Sequence, residues 1–483
     1  MSIKKTLVKG VYFMALANYS GVIVGLIITA VLARLLSPSD FGVVAIAMVF
    51  ITFFSLLSDA GIASAIIQFK ELNRKDISNI FGFAFWTGCL LSVIFLVLAP
   101  FIARFYEKEI LINICRILSI QVFITTLNIV PNALLLKEKK FNIIAYRRVS
   151  IQLFCGIIAI LAAIYGAGLY ALLIAPVAGS ILELIVNMYF SKIQLNILCN
   201  LSPIKQIFSF SAFQFSFSFI NYFGRNLDKL IIGKSIGISQ LGFYEKSYRL
   251  MMLPIQNTTG IVSPVLHPIL SDFQKTPEVI FNAYLKITKL LANISFPVAV
   301  IFFFIANELI LLVFGTQWGD AVPAFRILSI SIALQIPMVT AGAIFQSLNK
   351  TKELFILGTL NVLIAVGGLL IATRFYGTIE AIGIAFVITC FISFINSFWT
   401  ITKYAFHKSF GIVLKIFFMP FLCYIIQFLI LYFLSNYMDY SIWLSLSLKV
   451  SVWMFLTFLY FQFFTEYKPV VLVCSFYLKI KRK

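Results

Sequence analysis

Apolar runs alternate with short polar stretches along the whole chain. The runs fall at residues 7–33, 41–67, 78–103, 110–136, 143–165, 168–190, 206–234, 240–270, 284–314, 321–346, 353–375, 378–402, 410–435 and 441–465. A helix needs about 20 residues to cross the ~30 Å hydrocarbon core of a bilayer, and every window is that long. The pattern predicts an all-α integral membrane protein of about fourteen transmembrane helices, joined by loops too short for a further domain. Charges interrupt the seventh and eighth windows, which sets those two apart.

Composition agrees and narrows the class. The 483 residues are 61% hydrophobic and 12% charged, whereas a soluble domain is roughly 25% charged. A soluble enzyme, a disordered chain and a nucleic-acid-binding domain are thereby excluded. The net charge of +20 points to anionic lipid headgroups, not to a nucleic-acid partner. With the N-terminus in the cytoplasm, twenty-six Lys and Arg, Arg147 and Arg148 among them, gather on the cytoplasmic side in loops, adjoining helix ends and termini, and only Arg34, Arg104, Lys108 and Arg374 lie opposite. That asymmetry predicts an even number of spans and both termini in the cytoplasm. The first residues imitate a signal peptide, but the apolar run behind them is too long for an h-region, so the first helix is expected to stay. Seven scattered cysteines and the two histidines, His267 and His407, supply neither a CxxC pair nor a metal-ligand cluster, so no metal or organic cofactor is predicted.

The two halves resemble each other at an offset that drifts from about 200 to 211 residues. Residues 33–42 (ARLLSPSDFG) align with 233–242 (GKSIGISQLG), and Gly61-Ile62-Ala63-Ser64 with Gly260-Ile261-Val262-Ser263. Arg116-Ile117-Leu118-Ser119-Ile120 recurs unchanged as Arg326-Ile327-Leu328-Ser329-Ile330, and Tyr165-Gly166 as Tyr376-Gly377. Six windows separate equivalent points, so the repeats are parallel. This predicts a lobe at 1–200, a second lobe at 201–405, and an appended helix pair with a basic tail at 406–483.

A charge at the bilayer centre costs about 2.5–3.5 kcal/mol on insertion scales, so such residues face a cavity or a partner. Windows seven and eight carry Arg225, Asp228, Lys229, Lys234, Glu245, Lys246 and Arg249. At 1.5 Å per residue, Arg225 and Arg249 sit at similar depth on consecutive helices, roughly 12–14 Å below the outer face. A cationic cavity for a pyrophosphate would use Arg225, Arg249 and Lys246 with Asp228 beside them, because a guanidinium fork donates two bonds to phosphate. The competing reading makes Arg225–Asp228 and Glu245–Arg249 internal salt bridges on their helices. Asp59 and Glu183 are candidates for ion coupling, against pairing with helix-end lysines. Arg116, Arg326 and Glu308 are expected to anchor at the outer interface.

No phosphate-binding GxxxxGK[ST] loop occurs, so the chain is not its own ATPase. Residues 33–42 (ARLLSPSDFG), 59–68 (DAGIASAIIQ), 131–140 (PNALLLKEKK), 165–171 (YGAGLYA), 225–233 (RNLDKLIIG) and the LGFY…LP…P-x-LS-x-x-Q stretch of 241–274 carry a family likeness. On them the chain resembles the polysaccharide-transporter family of lipid-linked oligosaccharide flippases (Wzx/WzxC-like), within the MATE/MOP flippase superfamily. The resemblance spans about residues 1–400. It implies two pseudo-symmetric six-helix lobes plus two C-terminal helices in a bacterial cytoplasmic (inner) membrane. The implied activity moves undecaprenyl-pyrophosphate-linked oligosaccharide repeat units between leaflets by alternating access. H+ or Na+ would be the coupling ion, and glycosyltransferases and a polymerase would act before and after. The protein is then a transporter, not an enzyme. Two alternatives stay open: a MATE-like small-molecule exporter, and a membrane polymerase or ligase of the same pathway. With the charges counted to the loops and helix ends set aside, the windows hold Arg116, Arg225, Lys229, Lys234, Lys246, Arg249, Arg326 and Lys449 against Asp59, Glu183, Asp228, Glu245 and Glu308, which leans toward an anionic cargo.

Overall fold

The structure, a computed structural model, describes residues 3–69, 71–194, 196, 202–271, 273–274, 276–436, 441–466 and 468. The basic tail at residues 479–483 lies outside them. The described chain is helical: α1 (Ile3–Leu35), α2 (Pro38–Asp59), α3 (Ile62–Gln68), α4 (Arg74–Tyr106), α5 (Ile110–Lys137), α6 (Phe141–Ile164), α7 (Ala171–Ser191), α8 (Ser202–Ser235), α9 (Ile238–Ser271), α10 (Pro277–Phe304), α11 (Ala306–Phe314), α12 (Ala321–Ser329), α13 (Ser331–Met338), α14 (Thr340–Ser347), α15 (Thr351–Phe375), α16 (Ile379–Thr400), α17 (Phe410–Asn436) and α18 (Ile442–Phe464). A helix falls on every apolar window. Among the described residues, eleven spans are long and apolar enough to cross a membrane, or twelve if the segment Ala321–Ser329 with Ser331–Ser347, bent by 45°, is one span. α8 and α9 have 34 residues each but are too polar to qualify on composition.

Local chemistry sets the helix ends. Ser37 caps α2: its hydroxyl accepts from Asp40 N at 3.2 Å while the Asp40 carboxylate accepts from Ser37 N at 2.9 Å. Asn73 and Asp76 close the same reciprocal box on α4. Two backbone donors that lack intrahelical acceptors are thereby satisfied at each start. α2 stops where Ala60 (φ 37°) and Gly61 (φ 81°) turn left-handed, and α3 resumes the span.

By internal contacts the chain divides into Met1–Gly242 and Phe243–Lys483. In the first unit α5 packs on α4, α2 and α7, α6 on α1 and α7, and α8 on α2 and α4. In the second, α10 packs on α12, α13, α17 and α18, and α16 on α13 and α15. Pairing thus recurs between units: α4·α5, α5·α7 and α6·α7 correspond to α10·α13, α13·α16 and α15·α16. Apolar association alone is weak in lipid, so polar ties matter. α18 is held to α10 at three levels, by Lys449 to Phe304 O (3.1 Å), Trp453 Nε1 to Pro297 O (2.8 Å) and Tyr460 Oη to Asn293 Oδ1 (2.7 Å). Elsewhere α17 and α18 expose large side chains such as Phe418, Phe433, Trp443 and Phe455, the surface expected to face lipid.

Candidate functional site

The charged helices are anchored on specific faces, and those anchors decide what their charges can reach. On α8 the buried Tyr222 hydroxyl donates to Val49 O of α2 at 2.9 Å. One turn below the end of α8, Leu230 O accepts from Tyr106 of α4 at 3.3 Å. At the end itself, Lys234 pairs with Glu107 at 2.9 Å and lies 5.2 Å from the Phe105 ring centroid. That ammonium donates to the Glu107 carboxylate and attracts its charge, which holds the acid below its ordinary pKa. The pair is therefore present at neutral pH and fades only as pH falls through that lowered value. Between these tethers sits Arg225, exposed to solvent or membrane. Asp228 is three residues on, and its Oδ1 accepts from Lys229 N at 2.8 Å.

In the second unit, Ser247 Oγ is buried and donates to Ala321 O at 2.9 Å, which fixes that face of α9 to α12. Two helical positions rotate by about 200°, so Arg249 points away from the anchored face and is exposed. Lys246 is 3% exposed and lies 6.0 Å from the Phe314 ring centroid. Neither Arg225 nor Arg249 makes a hydrogen bond or ion pair among the described residues; the Arg225–Asp228 and Glu245–Arg249 bridges weighed from the spacing are not formed. Arg225 and Asp228 lie in one unit, Lys246 and Arg249 in the other.

The two acids considered for ion coupling have defined neighbours. Asp59 ends α2, and its Oδ1 accepts from Ala63 N at 3.1 Å across the α2–α3 break. Glu183 of α7 is half-exposed and pairs with Arg147 of α6 at 2.5 Å. Arg147 belongs to a buried polar cluster that sequence reasoning missed, having counted it with the loop charges. Its guanidinium donates to Asn187 and, at 3.4 Å, to Asn132. Asn187 in turn donates to Asn128 at 2.6 Å. The available signal was spacing: Asn128 and Asn132, like Glu183 and Asn187, are i,i+4 pairs within apolar windows.

A second buried pair corrects one expectation. Glu308 is not an interfacial anchor. It is 3% exposed, pairs with Lys449 of α18 and accepts from Ser445 Oγ at 2.6 Å. Arg116 and Arg326 are exposed, and Arg326 stacks 5.6 Å from the Phe303 ring centroid. Among the described residues no group of three or more His, Cys, Asp or Glu could hold a metal ion.

Residues 31–323 match the family model described as "Polysaccharide biosynthesis protein". The teichuronic acid biosynthesis protein TuaB of Bacillus subtilis is 26% identical over 404 residues, 82% of this chain and 83% of that protein. The lipopolysaccharide biosynthesis protein WzxC of Escherichia coli is 23% identical, covering 83% of this chain and 82% of its own. Among solved structures, the lipid II flippase MurJ in an inward closed conformation superposes with a TM-score of 0.74 at 14% identity, over 93% of this chain and 98% of that one. At that identity the likeness shows a shared fold.

Proposed function

The chain belongs to the polysaccharide biosynthesis protein family, a group of multi-pass membrane transporters, and from that premise we propose that it is a flippase for undecaprenyl-pyrophosphate-linked oligosaccharide repeat units. In this reading fourteen spans form two six-helix lobes and an appended pair, with both termini in the cytoplasm. The cargo is taken from the cytoplasmic leaflet, where glycosyltransferases build it, and released outside to a polymerase. No bond is made or broken. The protein alternates between accessible states, driven by H+ or Na+, with Asp59 and Glu183 as the acids that exchange the ion.

One observation carries the assignment of the cargo's charge. Two arginines on the two most polar helices are exposed and unbridged, although each has an acid three or four residues away. A guanidinium kept available in an apolar setting suits a phosphate oxygen pair. In the proposal Arg225 and Arg249 donate to the diphosphate during transport, with Asp228 and Lys246 tuning the local potential.

A charged hydrogen bond contributes about 1.5–3 kcal/mol. At 1.4 kcal/mol per factor of ten, Arg225→Ala and Arg249→Ala should each slow transport at sub-saturating cargo by about 10- to 150-fold. The measurement is leaflet accessibility of a lipid-linked oligosaccharide in liposomes holding the purified protein. Both variants should melt at the wild-type temperature, since neither guanidinium is tied to the fold. Wild-type rates in both variants would remove the cationic reading. No redistribution by the wild type, even under an imposed proton or sodium gradient, would overturn the flippase reading itself.

A further inference from the structure

The first unit holds a cavity of about 570 Å³ where the start of α4 meets the end of α7. Arg74, Lys75 and Lys192 line it together with Ser78, Gln194 and Asn196. Its walls are tied in place. Ser78 Oγ donates to Gln194 O at 2.5 Å, and Asn196 Nδ2 donates to Asn79 Oδ1 at 2.8 Å, so Gln194 and Asn196 are tied to the first turns of α4.

The charges around it are unevenly used. Lys137 and Lys140 are spent on the fold, donating to Phe69 O at 2.8 Å and Phe190 O at 2.9 Å. Glu138 is engaged by Lys140 at 2.7 Å and reaches Arg74 only at 3.6 Å. Asp76 closes the capping box with Asn73. Lys75 and Lys192 are exposed and have no acidic partner among the described residues. Three cations, two from the first turn of α4 and one from the end of α7, therefore line one cavity. The first-turn amides of Arg74 and Lys75 precede any intrahelical acceptor and add to the positive potential there.

We propose that this cavity binds a phosphate group. A phosphate or diphosphate offers enough oxygens for a guanidinium fork and two ammonium groups at once, where a carboxylate offers two. Two sources share that chemistry: the headgroup of an acidic phospholipid at the membrane surface, and a soluble phosphate or diphosphate. The site is separate from Arg225 and Arg249 and does not depend on the protein being a flippase.

The test is an acylation footprint of the full-length protein in phosphatidylcholine nanodiscs, read lysine by lysine by mass spectrometry. The exposed Lys352 and Lys415 serve as references. Inorganic pyrophosphate is the soluble probe, and phosphatidylglycerol mixed into the disc is the lipid probe. Protection of Lys75 and Lys192 above the reference lysines is expected with one of them. Protection by pyrophosphate assigns a soluble ligand, and protection by phosphatidylglycerol alone assigns a headgroup. It should vanish at about 1 M salt, where the Debye length is about 3 Å. Arg74→Gln should abolish protection of both lysines, and Arg74→Lys should restore part of it. Equal protection of all four lysines, or none with either probe, overturns the proposal. Either result leaves the leaflet-transport assay unaffected, so the two readings fail separately.

Discussion

At the scale of single residues, the buried Glu308–Lys449 pair makes the sharpest demand. Two charges removed from water repay their desolvation only while both are present, so losing one partner costs about 3–5 kcal/mol, whereas replacing both with apolar groups is often neutral. Lys449→Met should therefore lower the melting temperature of the purified protein severely, because it leaves Glu308 with Ser445 alone. The double variant Glu308→Leu, Lys449→Met should recover most of the loss. A double variant as unstable as the single one would show that the ammonium stabilises α18 through Phe304 O and not through the acid. The sequence exposed these charges as anomalies in apolar windows but not their pairing, which spans 141 positions and depends on which helix α18 packs against. The same limit hid the Arg147 cluster. Arg225 and Arg249 were legible as charges on the two most polar helices, since any count of polar residues in windows seven and eight finds them. That their neighbouring acids do not bridge them was not legible, because spacing permits a bridge without requiring one.

Between elements, the starts of α2 and α9 meet through two glycines. A Cβ on Gly42 would lie 1.9 Å from Ile238 O, and one on Gly242 would lie 2.0 Å from Pro38 O. Both obstacles are backbone carbonyls, which cannot swing aside as a side-chain tip can. Gly42→Ala and Gly242→Ala should each force the helix starts apart, at a cost above about 4 kcal/mol, visible as a collapse in melting temperature or yield. Gly358 has nothing within 4 Å of its Cβ position, and Gly358→Ala should be neutral or gain about 1 kcal/mol of helix propensity. Normal stability in both Gly42→Ala and Gly242→Ala would mean the approach is looser than described. These glycines occupy matching positions in the internal repeat, so the sequence marked them as equivalent. It did not show that equivalent positions touch. Helix positions were otherwise well anticipated, because length and hydropathy alone set a span. The break between α2 and α3 was not, since an averaged window passes over the two residues, Ala60 and Gly61, that turn the chain.

For the molecule as a whole, the arrangement of charge within the first unit bears on its orientation. Lys234 at the end of α8 pairs with Glu107 at the end of α4, so these two ends lie together, as the parity of windows three and seven requires. Arg74, Glu138, Lys140 and Lys192 gather at the start of α4, the end of α5, the start of α6 and the end of α7. The structure thus collects at one end of the unit the basic loops that the sequence assigned to a single face. Translocation disfavours Lys and Arg in short loops, so the basic end is expected in the cytoplasm. An amine reagent that cannot cross the membrane, applied to intact cells with an outer barrier opened where one exists, should modify the exposed Lys108 and spare Lys75 and Lys192. Opening the cytoplasmic membrane should then expose those two. Labelling of Lys75 from outside would invert the topology, and with it the direction in which the phosphate cavity and the transported cargo must be read. Labelling of Lys75 and Lys108 from the same side would break the parity of α4 instead, and remove one span from the proposed fourteen.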